Sequence, residues 1–263
     1  MSTRKMQFTS GRLSTLVLVC AFSSQAAWAS TIAYEGFSPS FPIYANGGTG
    51  FNGAWFQGGT NVSASRYAQN VDGLCFSRLT TSGGSVSGVT AQELNGAVRN
   101  LAQPLGDTVY LSFVLRPHEP LNEGLFGGFF GITLNGSLNR LFIGKPGGGA
   151  TGQYVLETQG GGGQFPSGVQ VSTHRTALLV VKAQFLPGRD IFTLNVDPKP
   201  GRPEPAGGVM KADLDIGTVS QIGIFSTGAF SVDELRIGTS FADVVPAGRD
   251  SSHDESPGCD EDR

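Results

Sequence analysis

Two adjacent carboxylates, Asp233 and Glu234, stand where the apolar pattern of the last strand-like segment changes phase. The apolar residues around them share one face only if the alternation slips by one residue; they are Phe230, Val232, Leu235 and Ile237. A one-residue slip in a period-two pattern predicts a β-bulge. Because a bulge re-aims the side chains beside it, we expect a carboxylate here to be directed at a site of its own.

A second group of chemistry-bearing residues combines an acid with large aromatic rings. Glu157 and Tyr154 lie on the predicted strand Gln153–Thr158, and Trp55 lies in a glycine-rich segment over 47–59 that is predicted to be a loop. Glu157, Tyr154 and Trp55 together could line a concave sheet face and bind a ligand. The rings of the glycine-rich segment have two interpretations, a platform on which a sugar stacks or anchors that pin the loop to the domain.

The motifs of several enzyme classes are missing from the chain. There is no Glu-x-Asp-x-x-Glu cluster of a sandwich glycosidase, no Gly-x-Ser-x-Gly elbow and no zinc-ligand spacing. His118 and His174 fall in predicted loops rather than on a strand face. Arg99, flanked by Val98 and Leu101, either binds an anion, pairs with a carboxylate or ties two loops together.

The elements that must position these residues are short alternating apolar runs separated by glycine and proline turns. The 263 residues include 39 glycines, and long helical runs are missing. Thr108–Arg116 and Thr176–Phe185 are the strongest predicted strands. The sequence thus predicts an all-β fold, a two-sheet antiparallel β-sandwich of jelly-roll type, with a core of Val109, Leu111, Phe113, Leu115, Phe142, Leu179, Val181, Phe185, Phe192, Leu194, Ile222, Ile224, Leu235 and Ile237.

The two ends of the chain differ from the predicted domain, which spans residues 30–246. Residues 1–29 have a basic start, an apolar middle and Ala-Trp-Ala at the end, which predicts a secretory signal peptide and an extracellular or periplasmic protein. Cleavage there would remove three of the 18 positive charges and none of the 21 negative ones, leaving a net charge of −6. Such a surface does not favour nucleic acid. Residues 247–263 are polar and acidic, predicting a disordered tail, and no membrane span is expected in the mature chain.

The cysteines bear on the same interpretation of the compartment. Cys20 would leave with the signal peptide, unless it marks a lipoprotein signal, which the bulky Val19 before it disfavours. Cys75 and Cys259 then remain, and in an oxidising compartment they either pair with each other or stay as separate thiols.

Several phrases of the sequence, in order and spacing, resemble a known family. TIAYEGF opens the predicted domain, DTVYLSFVLRP and RLFIGKP follow, and VDELRIGTSFADVVP closes it. They resemble the LamG-like, concanavalin A-like lectin/glucanase jelly roll of secreted bacterial proteins that carry a C-terminal PEP-type sorting segment. Here Pro203-Glu204-Pro205 is internal and the C-terminus is acidic, so the sorting tail is absent and free secretion is expected.

The resemblance implies an extracellular module rather than a defined activity. Its expected role is non-catalytic recognition of a glycan or an extracellular surface polymer. The alternatives are a divergent carbohydrate-active hydrolase or lyase, and a structural or adhesive protein without a small ligand. The resemblance also implies a structural Ca²⁺ where the first and last strands meet, with Glu35 and Asp233 as ligands.

Overall fold

The structure is a computed structural model that describes residues 30–40, 43–58, 67–88, 94–118, 128–160 and 162–248. The predicted signal peptide and all but the first two residues of the predicted tail lie outside these ranges, and both stay predictions. Cys75 is disulfide-bonded, while Cys20 and Cys259 lie outside the described residues, so the pairing of Cys75 with Cys259 also stays a prediction.

The described part of the chain forms fifteen strands and one short helix. In chain order they are β1 (Thr31–Glu35), β2 (Phe51–Gln57), β3 (Tyr67–Asn70), β4 (Ser85–Gly88), β5 (Asn95–Leu105), β6 (Thr108–Pro117), β7 (Phe130–Gly136), β8 (Arg140–Lys145), β9 (Gln153–Thr158), β10 (Gly162–Gln170), β11 (Ala177–Gln184), β12 (Ile191–Val196), β13 (Val209–Lys211), β14 (Val219–Ser226), β15 (Phe230–Gly238) and α1 (Phe241–Val244).

The strands pair antiparallel in two sheets packed face to face. Sheet A has the order β13-β12-β11-β6-β15-β4-β3, and β1 also pairs with β15. Sheet B has the order β10-β9-β8-β7-β14-β5-β2. The predicted fold class, an all-β jelly-roll sandwich of two antiparallel sheets, is confirmed. Within the described ranges, no helix has the length and hydrophobicity that crossing a bilayer requires.

Strand β15 is central to sheet A, because it pairs with β6, β4 and β1. Its pairing with β6 shifts register between Asp233 and Arg236, and Glu234 has a φ of 55°. The predicted bulge is confirmed, and the four apolar residues on either side of it all lie in the core. Ser240 caps α1 through a capping box with Asp243.

The core lies between the sheets, and the outer faces are covered differently. The outer face of sheet A carries a second apolar cluster, in which Tyr110, Val114 and Val180 pack against α1 and Leu74. The outer face of sheet B carries a third cluster that includes Phe142. The placement of Phe142 in the main core was therefore wrong: it alternates with Leu141 and Ile143, which point inward.

Some segments differ from the strands that the pattern predicts. The glycine-rich segment predicted to be a loop contains strand β2, because its residues pair with β5 despite a register shift. Leu74–Leu79 has the apolar content of a strand, but it is irregular and places its apolar side chains on the outer face of sheet A. Leu74 and Leu79 are buried and Phe76 is half-buried because the segment packs on the face of the sheet, without becoming one of its strands.

Candidate functional site

A cavity of about 870 Å³ lies on the outer face of sheet B. Three rings contribute to its lining: Phe129 just before β7, Phe142 on β8 and Phe225 on β14. The ring of Phe129 is 5.0 Å from that of Phe225 and 6.0 Å from that of Phe142, the latter pair edge to face. The rings touch in series and form one aromatic wall across neighbouring strands.

A glycine on the central strand makes room for this wall. Gly131 of β7 pairs with Phe225 on one side and Gly144 on the other. A Cβ at Gly131 would lie 2.9 Å from two carbons of the Phe142 ring, closer than side-chain carbons approach one another. The missing side chain therefore lets Phe142 lie across β7 instead of standing away from the sheet.

Polar groups face the aromatic wall from β9 and β10. Glu157 stands directly opposite Phe142 in the β8–β9 register. Gln164 donates from Nε2 to Oε2 of Glu157 at 2.6 Å and to the carbonyl oxygen of Gly148 at 2.8 Å. Oε1 of Gln159, also in the lining, is shielded and receives no hydrogen bond within the described residues. The cavity therefore combines ring faces with a carboxylate and side-chain amides.

This lining suits binding better than acid–base catalysis. Ring faces pack against the C–H faces of a ligand, while the carboxylate and amide oxygens accept hydrogen bonds from its hydroxyl groups. Glycoside hydrolysis by the usual route needs two carboxyl groups on either side of the scissile bond. Among the described lining residues, Glu157 carries the only carboxyl group.

Of the three residues predicted to share a ligand-binding face, the structure brings only Glu157 to the cavity. Tyr154 is 1 % exposed and Trp55 2 % exposed, and both point into the core. Tyr154 and Glu157 are three residues apart on one strand, so their side chains lie on opposite faces. Trp55 packs on Phe37 and Phe51, which agrees with its interpretation as an anchor and corrects the sugar-binding one.

Glu35, predicted to be a metal ligand, instead forms a buried ion pair between the two sheets. Its Oε2 pairs with Nη1 of Arg99 on β5, and its Oε1 accepts the N–H of Phe37 at 3.0 Å. Arg99 also donates to the carbonyl oxygen of Gly53 at 2.9 Å and to Oδ1 of Asn46 at 2.8 Å. Of the three roles considered for Arg99, the structure shows pairing with a carboxylate. The hydrogen bond from Arg99 to Asn46 also fixes the chain before β2.

Asp233, the other predicted metal ligand, lies on the opposite face of sheet A. Its Oδ2 accepts the N–H of Leu74 at 2.9 Å and its Oδ1 that of Glu234 at 2.6 Å. Burial, together with the charge of Glu234, raises the pKa of Asp233 to about 9. Glu234 pairs with Arg236 and accepts a hydrogen bond from Tyr34 Oη at 3.1 Å. The carboxylate of Asp233 thus holds the segment that begins at Leu74 against the outer face of sheet A.

The donors around these two acids do not fit a calcium ion. Glu35 and Asp233 do not converge, and each is engaged by hydrogen-bond donors, whereas Ca²⁺ needs six to eight oxygen ligands around one point. Among the described residues, no three His, Cys, Asp or Glu side chains come together as a metal site. The predicted pairing of Glu35 with Asp233 around a metal is therefore corrected.

We expect the melting temperature of the protein to be the same in EDTA and in millimolar CaCl₂. The physical reason is that Glu35 and Asp233 already have protein partners that a cation would have to displace. Differential scanning fluorimetry at neutral pH measures this directly. A rise in melting temperature with calcium, but not with magnesium, would show that the chain does hold a calcium ion.

Sequence reasoning missed most of the cavity lining. Phe129, Phe225, Gln159 and Gln164 were not singled out. A signal for Phe225 was available, since it alternates with Ile222 and Ile224, which were assigned to the core. Gln164 lies in β10, a strand that the glycine-rich sequence did not predict.

Comparison with known proteins identifies a fold and no closer relationship. No family model matches the chain, and no curated protein matches it. Among solved structures, the globular domain of T. cruzi calreticulin aligns at a TM-score of 0.50 and 10% identity, covering 82% of this chain and 90% of that one. An endo-1,3-beta-glucanase from Streptomyces sioyaensis gives 0.46 and 8%, covering 81% and 96%. The metal-free carbohydrate recognition domain of Emp46p gives 0.42 and 9%, covering 67% and 89%.

Proposed function

We propose that this protein is an extracellular glycan-recognition module that binds sugar in the cavity on the outer face of sheet B. The observation that carries the proposal is the aromatic wall of Phe129, Phe142 and Phe225 facing Glu157 across one cavity. Sugars offer C–H faces to rings and hydroxyl groups to carboxylate and amide oxygens. Structural likeness at these identities establishes the fold alone, so the proposal rests on this chain's own residues.

Secretion is part of the proposal and rests on residues 1–29. Their basic start, apolar middle and small-residue end direct export. N-terminal sequencing of the exported protein should find Ser30 as the first residue. An N-terminus that retains residue 1 in the exported fraction would contradict signal cleavage.

The test of function is binding to immobilised neutral and anionic polysaccharides, followed by variants of the cavity. We expect Phe142→Ala and Glu157→Gln each to weaken binding of the polysaccharide that is retained by at least about tenfold, because one removes a stacking face and the other an anionic acceptor. Isothermal titration calorimetry with soluble oligosaccharides of that polymer gives the dissociation constants.

Met210→Ala provides a matched control. Met210 is 56 % exposed on β13 of the other sheet, so its truncation should leave both binding and melting temperature unchanged. Failure of every glycan to bind the wild-type protein would refute the proposal and favour a structural or adhesive role. Release of reducing ends from a bound polymer, lost in Glu157→Gln, would instead favour the hydrolase.

A further inference from the structure

A row of polar side chains crosses the outer face of sheet B next to the cavity. The strand register places one such residue on each of six neighbouring strands or at its end, and all of them point away from the core. From the far edge to the cavity they are Asn52, Asn100, Gln221, Asn135, Arg140 and Gln159. Five of the six are amides, which can both donate and accept hydrogen bonds.

Two amide oxygens in this row receive no hydrogen bond from any residue that the structure describes. Asn135 is only 6 % exposed, and its Oδ1 receives no hydrogen bond from the described residues. The Oε1 of Gln159 lies two strands away in the cavity lining, and it too receives no hydrogen bond from the described residues. Buried polar atoms are nearly always paired, and an exception in a native structure calls for a missing partner. Both oxygens are shielded from solvent, so a ligand hydroxyl group can pair with them only after the amides turn outward.

A second row runs parallel to the amides and ends in an exposed ring. It contains Phe56, Val98, Gly223, Thr133, Phe142 and Glu157, again in register across the sheet. Phe56 is 42 % exposed at the edge of the sheet. Four strand spacings separate it from Phe142, about 19 Å at the usual distance between strands. The row thus has one aromatic residue at its far end and another beside Glu157 at its cavity end.

The charge of the two rows is small and balanced. Among their members, Arg140 and Glu157 are the charged ones, and they have opposite signs. A polymer of uronic acids or sulfated sugars would meet one cation and one anion here, with no basic track along its length. Amides suit the hydroxyl groups of an uncharged sugar.

We infer that the ligand is a linear, uncharged polysaccharide that lies across the strands of sheet B, with one part in the cavity and later sugar units along the two rows as far as Asn52 and Phe56. This inference rests on the proposed function, and it specifies the class of glycan and the mode of binding. The row extends about 24 Å from Gln159 in the cavity lining to Asn52, five strand spacings, so the site has room for several sugar units of the polymer.

The experiment compares di-, tetra- and hexasaccharides of the laminari-, cello-, manno- and xylo- series by calorimetry on the wild-type chain. We expect affinity for the favoured series to rise at least about tenfold from the disaccharide to the hexasaccharide. Phe56→Ala and Asn100→Ala should each weaken hexasaccharide binding about five- to tenfold and leave disaccharide binding unchanged. Phe142→Ala should weaken both, and Met210→Ala neither.

The outcomes separate this inference from the proposed function. Equal affinity for the di- and hexasaccharide, or wild-type hexasaccharide binding by both Phe56→Ala and Asn100→Ala, would overturn the extended site while the cavity remained a glycan site. Tighter binding of alginate or chondroitin sulfate than of any neutral series would overturn the uncharged ligand. No binding of any glycan would overturn both proposals together.

Discussion

Replacing Arg99 by methionine should lower the free energy of unfolding by about 3–5 kcal/mol, the usual cost of leaving one member of a buried ion pair without its partner. Arg99 is fully buried and pairs with Glu35 between the sheets. Methionine has a similar length but cannot neutralise the carboxylate. It also cannot donate to the carbonyl oxygen of Gly53 or to Asn46, so the chain before β2 should loosen as well.

Urea unfolding of single and double variants separates the charge from the loop contacts. In the Arg99→Met background, Glu35→Gln should recover part of the loss, because a neutral amide is cheaper to bury than an unpaired carboxylate. Arg140→Met, at an exposed arginine on the same sheet, is the matched control and should change stability by less than about 0.5 kcal/mol. A loss below about 1 kcal/mol in Arg99→Met, or no recovery in the double variant, would contradict this account of the pair.

Local patterns predicted the sandwich and the bulge because both follow from the order of residues along one strand. The phase slip at Asp233 required no knowledge of the partner strands. The direction in which Asp233 points was a different matter. Its partner, the N–H of Leu74, lies 159 positions away in the chain, and no local pattern contains that contact.

The candidate site depended on register between strands, which a single sequence does not contain. Glu157 could be identified as a carboxylate on a strand, but its position opposite Phe142 follows from the β8–β9 pairing. The grouping of Glu157 with Tyr154 could have been rejected from the sequence, since an odd spacing on a strand puts two side chains on opposite faces. The row that contains Asn135 and Gln221 becomes visible only when six strands are aligned.

The free energy of unfolding should fall by several kcal/mol between pH 5 and pH 9, with Asp233 as a principal cause. Burial and then the charge of Glu234 raise the pKa of Asp233 from 3.8 to about 9, although the N–H groups of Leu74 and Glu234 oppose the shift. Between these two values the native state holds a proton that the unfolded chain has released. Stability therefore decreases as pH rises, by at most about 1.4 kcal/mol per pH unit for this group. The pKa of Glu234 is also raised by burial and adds a slope of the same sign.

Asp233→Asn tests the assignment, because an amide cannot lose its proton in this range. Urea unfolding at intervals from pH 5 to pH 9 should give a shallower pH slope for the variant than for the wild type. At pH 5 we expect the variant to be less stable, since an amide NH₂ must face either the N–H of Leu74 or that of Glu234. The two curves should then converge or cross toward pH 9. Asp72→Asn, at an exposed acid near the segment that Asp233 holds, should keep the wild-type slope. Parallel curves for Asp233→Asn and the wild type would mean that Asp233 is ionised in the folded protein throughout this range, held by its two N–H donors.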